Sequence, residues 1–114
     1  MSAKTELKVL LGSIVKEIYD ADIRALQANG MNLVHIKNPS AEQCLIAVKQ
    51  NGYALQYVPF KIQTYKICLE AVKKHGLALQ YVKKQTPKVC LEAIKQDKAS
   101  YIHVNDDIKK QIGF

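Results

Sequence analysis

The sequence has no tryptophan, a single arginine (Arg24) and no long apolar run. A membrane-spanning helix needs about 20 consecutive, mostly apolar residues, so the chain is expected not to cross a bilayer. The N-terminal stretch MSAKTELKVLLGSIVKEIYD carries charges through its apolar part and lacks a small-residue cleavage site. No secretory signal peptide is therefore predicted.

Cysteine is scarce, and its three copies lack the spacings of a disulfide framework or a zinc site. Cys44, Cys68 and Cys90 are an odd number, and no C-x-x-C or nearby cysteine–histidine pair occurs. Without an export signal, this pattern favours a reducing, cytoplasmic compartment. The three residues are predicted to be small buried hydrophobes that bind no metal.

Motifs that carry catalysis are also missing. The chain has no glycine-rich phosphate loop, no G-x-S-x-G and no H-E-x-x-H. Paired carboxylates occur at Glu70 with Glu92 and at Asp106 with Asp107, but none has a nucleophile or histidine at a spacing that suggests a site. The expectation is a protein that is not an enzyme and uses no cofactor.

What the sequence does contain is a repeat. NGYALQYV at 51–58 returns as HGLALQYV at 75–82, and the three cysteines are 24 and 22 residues apart. Such a period is typical of stacked helical units whose terminal copies are degenerate. One domain, 1–114, is predicted, with repeats at 21–39, 40–63, 64–85 and 86–107 between an N-terminal cap at 1–20 and a C-terminal cap at 108–114.

Each repeat is predicted to hold two helices. Ser40 with Gln43, and Thr86 with Pro87, are helix-start patterns. The first helix then carries an apolar stripe at i, i+1 and i+4, with a small alanine that lets a neighbouring helix approach. Gly52 and Gly76 are expected to end that helix in the left-handed conformation. A shorter second helix, such as YALQYV, cannot stand alone in water and must be held by the adjacent unit.

These features predict the fold class: an all-α, small α-solenoid of about four repeats of 22–24 residues. The motif C-L-x-A-[VI]-K-[QK]-[NH]-G-x-A-L-Q-Y-V resembles the short tandem repeat of a bacterial and large-virus family known only as a domain of unknown function. The resemblance covers about residues 21–104. It implies an all-α array and no activity, cofactor or catalytic residue.

Charge is distributed unevenly along the chain. Residues 43–91 hold eight basic side chains against one acidic residue, Glu70, whereas both ends are neutral, so the net charge of +7 arises in the middle. Repeat register places these lysines on two edges. Those at the ends of first helices favour the helix dipole and are Lys49, Lys73, Lys74 and Lys95. Those in loops and first turns have no such stabilising role and are candidate partner contacts: Lys61, Lys66, Lys83, Lys84 and Lys88.

A second candidate surface follows the second helices. Tyr57 and Tyr81 form one column with His35 and His103, which is expected to be structural and half-buried; a ridge that contacts a ligand is the alternative. The neighbouring exposed positions are Gln56 and Gln80. His75 lies at the end of a first helix, where a partial positive charge would suit the dipole.

The predicted function is a non-catalytic protein-interaction module, an adaptor or small inhibitor that docks on an acidic partner surface. In this hypothesis the lysines steer the partner and the tyrosine and glutamine column supplies short-range contacts. The first alternative is non-specific nucleic-acid binding through the lysine-rich central repeats. The second is a structural role through self-association, because the open ends of an array expose apolar faces.

Overall fold

The computed structural model describes residues 2–113; Met1 and Phe114, the outermost residues of the predicted caps, lie outside this range. Within it the chain is helical and contains no strand, so the predicted all-α repeat fold is confirmed. The α-helices are α1 (Ala3–Ala28), α2 (Ala41–Gln50), α3 (Tyr65–Lys74), α4 (Pro87–Gln96) and α5 (Asp106–Ile112). The 3₁₀-helices are η1 (Gly30–His35), η2 (Gly52–Tyr57), η3 (Phe60–Ile62), η4 (Gly76–Tyr81) and η5 (Lys98–His103).

Hydroxyl side chains cap the first four α-helices, beginning with Ser2, which accepts a hydrogen bond from the Thr5 amide. Ser40 accepts a hydrogen bond from the Gln43 amide while the Gln43 side chain accepts one from the Ser40 amide, which completes the predicted capping box. Thr64 and Thr86 cap α3 and α4 through the hydroxyl bond alone, accepting from the Ile67 and Val89 amides, and Pro87 occupies the first position of α4. The helix starts predicted at Ser40 and Thr86 are therefore confirmed.

The repeats stack in two parallel rows. In one row α1, α2, α3 and α4 each pack against the next α-helix, and in the other η1, η2, η4 and η5 do the same. The stack is long and thin, with extents of 67 × 24 × 16 Å and a radius of gyration of 18.0 Å. A compact chain of this length would have a radius of gyration of about 13 Å. The second helix of each unit is a 3₁₀-helix of 6 residues, which is long for this helix type and is held by packing on the neighbouring units.

The repeat glycines do not adopt the left-handed conformation, so that prediction is wrong. Among the described glycines only Gly113, outside the repeats, has a positive φ. The glycines are needed for space instead. A Cβ built on Gly52 would overlap the backbone carbonyl oxygen of Ala71 in the next repeat, and Gly30 and Gly76 meet Ala47 and Ala93 in the same way. The predicted role of these alanines in close helix approach is confirmed, since all three are fully buried.

The last repeat has no glycine at this position. At the start of η5, Lys98 occupies the position that glycine holds in the three earlier repeats, and Lys98 is exposed. In the described part of the chain no alanine of a further repeat packs on Lys98, since α5 differs in sequence from the first helices. Position 98 thus carries a side chain where this close backbone approach is not made.

The buried stripe of the first helices is shifted by one residue from the prediction. The cysteines are buried as expected, but the residue before each cysteine (Gln43, Ile67, Val89) is more deeply buried than the leucine after it. Leu45 and Leu69 are only partly buried, and Leu91 is 47% exposed. The inward face of each first helix thus spans the cysteine, its preceding residue and the alanine, rather than the leucine.

Glutamine side chains tie the loops of successive repeats together. Gln63 donates to the Tyr81 carbonyl at 2.9 Å and accepts from the Lys83 amide at 2.8 Å. Gln85 makes the same pair of bonds one repeat later, to the His103 carbonyl and the Asn105 amide. One junction earlier, Pro39 occupies the position of the glutamine and Pro59 the position of the residue whose amide would donate to it. Both the amide side chain and the backbone N–H are therefore absent at this junction.

Two predicted unit boundaries fall inside helices. Helix α1 runs without a break through residues 20 and 21, so the N-terminal cap and the first helix of repeat 21–39 are one element. Helix α5 begins at Asp106, two residues before the predicted C-terminal cap. Among residues 2–113, none of the helices combines the length and apolarity that crossing a membrane requires.

The close approach at the repeat glycines predicts opposite effects for two glycine-to-alanine substitutions. Gly52→Ala should lower the free energy of unfolding by about 1–3 kcal/mol, because the backbone of α3 must shift to admit the methyl group. Gly12→Ala is the matched control: it lies in an exposed helix with nothing within 4 Å, so it should raise stability by about 0.5–1 kcal/mol. Urea unfolding of both variants measures the contrast, and a neutral Gly52→Ala would contradict the packing.

Candidate interaction surface

The five candidate lysines lie along the edge formed by the starts of α3 and α4 and the loops before them. We call this set the lysine edge: Lys61, Lys66, Lys83, Lys84 and Lys88. Lys66 and Lys88 are in first turns, Lys61 is in η3, and all five side chains are exposed. Stacking places equivalent positions of successive repeats next to each other, so the edge is continuous across the central units.

The positive charge of this edge is not balanced within the chain. Among the described residues none of the five lysines forms an ion pair; the salt bridge that the structure shows is Lys16 with Asp20, at 2.8 Å in α1. Glu70, the single acidic residue of 43–91, lies in the middle of α3 and is also without an ion pair in the described part. The lysine edge therefore presents an uncompensated positive field to solvent.

A shallow groove of about 260 Å³ opens beside the lysine edge, between the starts of α3 and α4. Apolar side chains contribute to its lining together with polar groups. The groove is lined by Gln63, Tyr65, Cys68, Lys84, Thr86 and Val89. Of the predicted candidates it thus brings Lys84 next to an apolar recess, while the tyrosine and glutamine column lies outside it.

Two exposed aromatic residues near the lysine edge were not predicted from the sequence as contact residues. Phe60, in η3 and next to Lys61, is 65% exposed, and Tyr65, next to Lys66, is 48% exposed. Exposed aromatics that alternate with lysines are typical contact residues. The signal for Phe60 was the extra length of the second repeat, whose segment PFKIQ replaces the shorter KKQ of the next repeat and forms the additional 3₁₀-helix η3.

The predicted column on the second helices is less available than the lysine edge. Tyr57 and Tyr81 are half-buried and pack against the hydrophobic core, as expected for a structural role. Gln56 and Gln80 are exposed, but each side-chain amide donates back to the first turn of its own 3₁₀-helix, to the Tyr53 and Leu77 carbonyls. These glutamines therefore help to hold their helices.

The three cysteines are buried and free, as predicted. Burial raises the pKa of Cys44 and Cys68 to about 11 and also raises the pKa of Cys90. A thiol with such a pKa stays protonated at neutral pH and is a poor nucleophile. Within residues 2–113, no three histidine, cysteine or carboxylate side chains are grouped as metal ligands would be.

His75 links two repeats and does so in its neutral form, contrary to the prediction of a positive charge. Its Nδ1 accepts a hydrogen bond from the Gly52 amide at 3.0 Å, and its ring stacks on Tyr53 with centroids 4.5 Å apart. Burial, and next the positive charge of Lys74, lower the pKa of His75 below its ordinary value. Protonation at Nδ1 would turn the acceptor into a donor that faces another N–H.

Comparison with known proteins finds a match at the level of family only. The model of a domain of unknown function (DUF4116) matches residues 42–86 and again residues 64–109. The two overlapping matches follow the repeat, and together they cover more than half of the chain. No curated protein and no solved structure matches the sequence.

The neutral His75 contact predicts that stability decreases in mildly acidic solution. The unfolded chain binds a proton that the folded chain excludes, so the free energy of unfolding should fall as pH drops below about 6.5. Urea unfolding at about pH 7.5 and pH 5.5 measures the slope. His75→Asn, which introduces the residue found at positions 29 and 51, should reduce the slope; an unchanged slope would contradict the assignment.

Proposed function

The chain belongs to this family, whose description assigns no activity, and we propose that it is a non-catalytic protein-interaction module that binds an acidic partner segment along the lysine edge. The observation that carries the proposal is five exposed lysines without an ion pair in the described part of the chain, set beside an apolar-lined groove. Their charge lowers no energy within the fold, and two of them lie in first turns, where the helix dipole disfavours cations.

The edge and the groove would have separate tasks in binding. Long-range attraction by lysines raises the rate of encounter with an acidic surface. The groove then accepts one apolar side chain of the partner against Cys68 and Val89, with Tyr65 at its rim. An acidic segment with a single hydrophobic anchor matches this arrangement, because buried anchors supply most of the affinity of small interfaces.

A reducing compartment is part of the proposal. Three free, buried thiols without a disulfide support a cytoplasmic location. The array itself is a rigid stack of repeats, so the lysine edge needs no rearrangement before binding. A preformed surface of this kind avoids part of the ordering cost of association.

Nucleic-acid binding is the second candidate, and one observation favours it. Phe60 and Tyr65 are exposed beside Lys61 and Lys66, and single-strand binders combine lysines with stacking aromatics. The central repeats contain no arginine, the residue that reads phosphates and bases in bidentate fashion. We therefore rank this function below an acidic protein partner.

Two variants with equal charge loss test the lysine edge. Lys61, Lys83, Lys84 and Lys88 are changed to Gln in one variant, and in the matched control the four lysines at first-helix ends are changed: Lys49, Lys73, Lys74 and Lys95. Each variant lowers the net charge of +7 by four. Binding of a labelled glutamate-rich peptide with one leucine anchor is measured by fluorescence anisotropy. The edge variant should bind about tenfold or more weakly, and the control should bind nearly as the wild type does.

The same titration separates the two functions. An oligothymidylate of about 20 nucleotides and a duplex of about 20 base pairs serve as competitors at about 50 and 200 mM salt. Weak, steeply salt-dependent binding of both nucleic acids is expected. Equal losses in the two lysine variants would show a general charge effect without a site, and tighter binding of the single strand than of the peptide would favour the second function.

A further inference from the structure

The N-terminal half of α1 extends beyond the repeat array. Tyr19 Oη lies 3.2 Å from Ser40 Oγ and donates to Glu42 Oε2 at 2.8 Å, so residue 19 is level with the start of α2. The 16 residues before it, 3–18, continue the helix for about 24 Å past that point. Val15 and Ile18, the apolar residues nearest the array, also line an open recess with Ile36 and Ser40. Every one of them is exposed, whereas Leu26, in the half that packs on the array, is fully buried.

This projecting half carries the largest set of exposed apolar side chains in the described chain. Leu7, Leu11, Ile14 and Ile18 recur at spacings of four, three and four residues, which are the core positions of a coiled coil. Leu10 and Val15 flank them. We call the six residues the α1 stripe; their exposures range from 51% to 65%. Val9, at 60% exposure, lies on the opposite side of the helix.

Several residues of the projecting half have low helix propensity. An isolated helix of about 16 residues is marginal in water even with good helix formers. Here Gly12 stands in the middle with nothing within 4 Å, and Val9, Ile14, Val15 and Ile18 are β-branched. These residues weaken the projecting half, so packing against another apolar surface would stabilise it.

We propose that the α1 stripe binds the α1 stripe of a second copy of this chain, and that the two helices run antiparallel. The register that aligns the stripes places Leu7 opposite Ile18 of the other copy and Leu11 opposite Ile14, so each apolar core position meets another. Leu10 and Val15 close the two sides of the seam. The dimer therefore forms through the projecting helices and leaves both lysine edges uncovered.

The area fits a second copy. The α1 stripe exposes on the order of 600 Å², and the aliphatic stems of Lys8 and Glu17 add to it, which approaches the roughly 800 Å² that each partner contributes to a standard interface. A lipid surface fits less well. Residues 3–18 carry three lysines and two glutamates, so they lack the strongly basic polar face of membrane-bound amphipathic helices.

Charge positions favour the antiparallel orientation. In a parallel pair Lys4 would face its own copy at a core position, and Glu17 would lie beside Asp22 of the other helix, a pair of like charges. In the antiparallel register Lys4 faces Ala21 of the other copy instead. Opposite directions also place the two repeat arrays at opposite ends of the helix pair, so the arrays do not compete for space.

The oligomeric state of the full chain tests the proposal. Sedimentation equilibrium at about 100 μM should give twice the monomer mass of 12.8 kDa. Leu11→Glu with Ile14→Glu should give monomers, while Val9→Glu, an equally exposed residue off the stripe, should remain dimeric. Circular dichroism and urea unfolding show whether the array stays folded in all variants; the monomeric double variant should still unfold cooperatively, at a midpoint lowered by the loss of the dimer.

Three outcomes would overturn the proposal: a monomeric wild type, equal loss of dimer in Val9→Glu and in the double variant, or binding to phosphatidylglycerol vesicles that the double variant abolishes in a monomeric wild type. Orientation is tested by mixing Leu7→Cys and Ile18→Cys chains under oxidation, since the native thiols are buried. Cross-links should join the two different variants. Cross-links within the Leu7→Cys population alone would show a parallel pair.

Discussion

One backbone contact sets the architecture: the glycine at the start of each 3₁₀-helix lies against the carbonyl of an alanine in the next α-helix. Both residues lack bulk, so two rows of helices approach more closely than ordinary side chains allow. The contact recurs three times, at Gly30, Gly52 and Gly76, and it joins consecutive units rather than parts of one unit. A unit that lacked its neighbour would leave this surface open, which is why the units fold as a stack.

Because stability arises between repeats, the outer edges of the stack are free to differ. The glutamine bridges at Gln63 and Gln85 and the His75 contact to Gly52 reinforce the junctions from the sides. The lysine edge takes no part in those bonds through its side chains. Its charge is therefore a property of the surface alone, and it coexists with the apolar α1 stripe because the two surfaces use different elements.

Much of the fold was predictable because the repeat spacing and the helix-capping residues can be read directly in the sequence. The all-α class, the helix starts at Ser40 and Thr86 and the burial of the cysteines and alanines followed from spacing alone. The role of the glycines did not, because a left-handed turn and a close backbone approach select the same residue. The neutral His75, the glutamine bridges and the groove at Tyr65 depend on contacts about 20 residues apart, which local patterns do not specify. The exposed lysines were found by register, but Phe60 lies in a two-residue insertion whose conformation the repeat does not encode, and Tyr65 occupies a first-helix position that holds alanine or proline in the neighbouring repeats.

Lys98 restricts where a further unit could pack on the array. Genes for repeat proteins lengthen when a unit is copied, and a copy placed after the fourth unit would meet a long side chain where a bare backbone is required. A copy inserted between the second and third units would meet glycine on both sides. An α-helix packed as closely as those after Gly30, Gly52 and Gly76 would overlap the Cβ of Lys98, so position 98 cannot make the backbone contact that joins the other units.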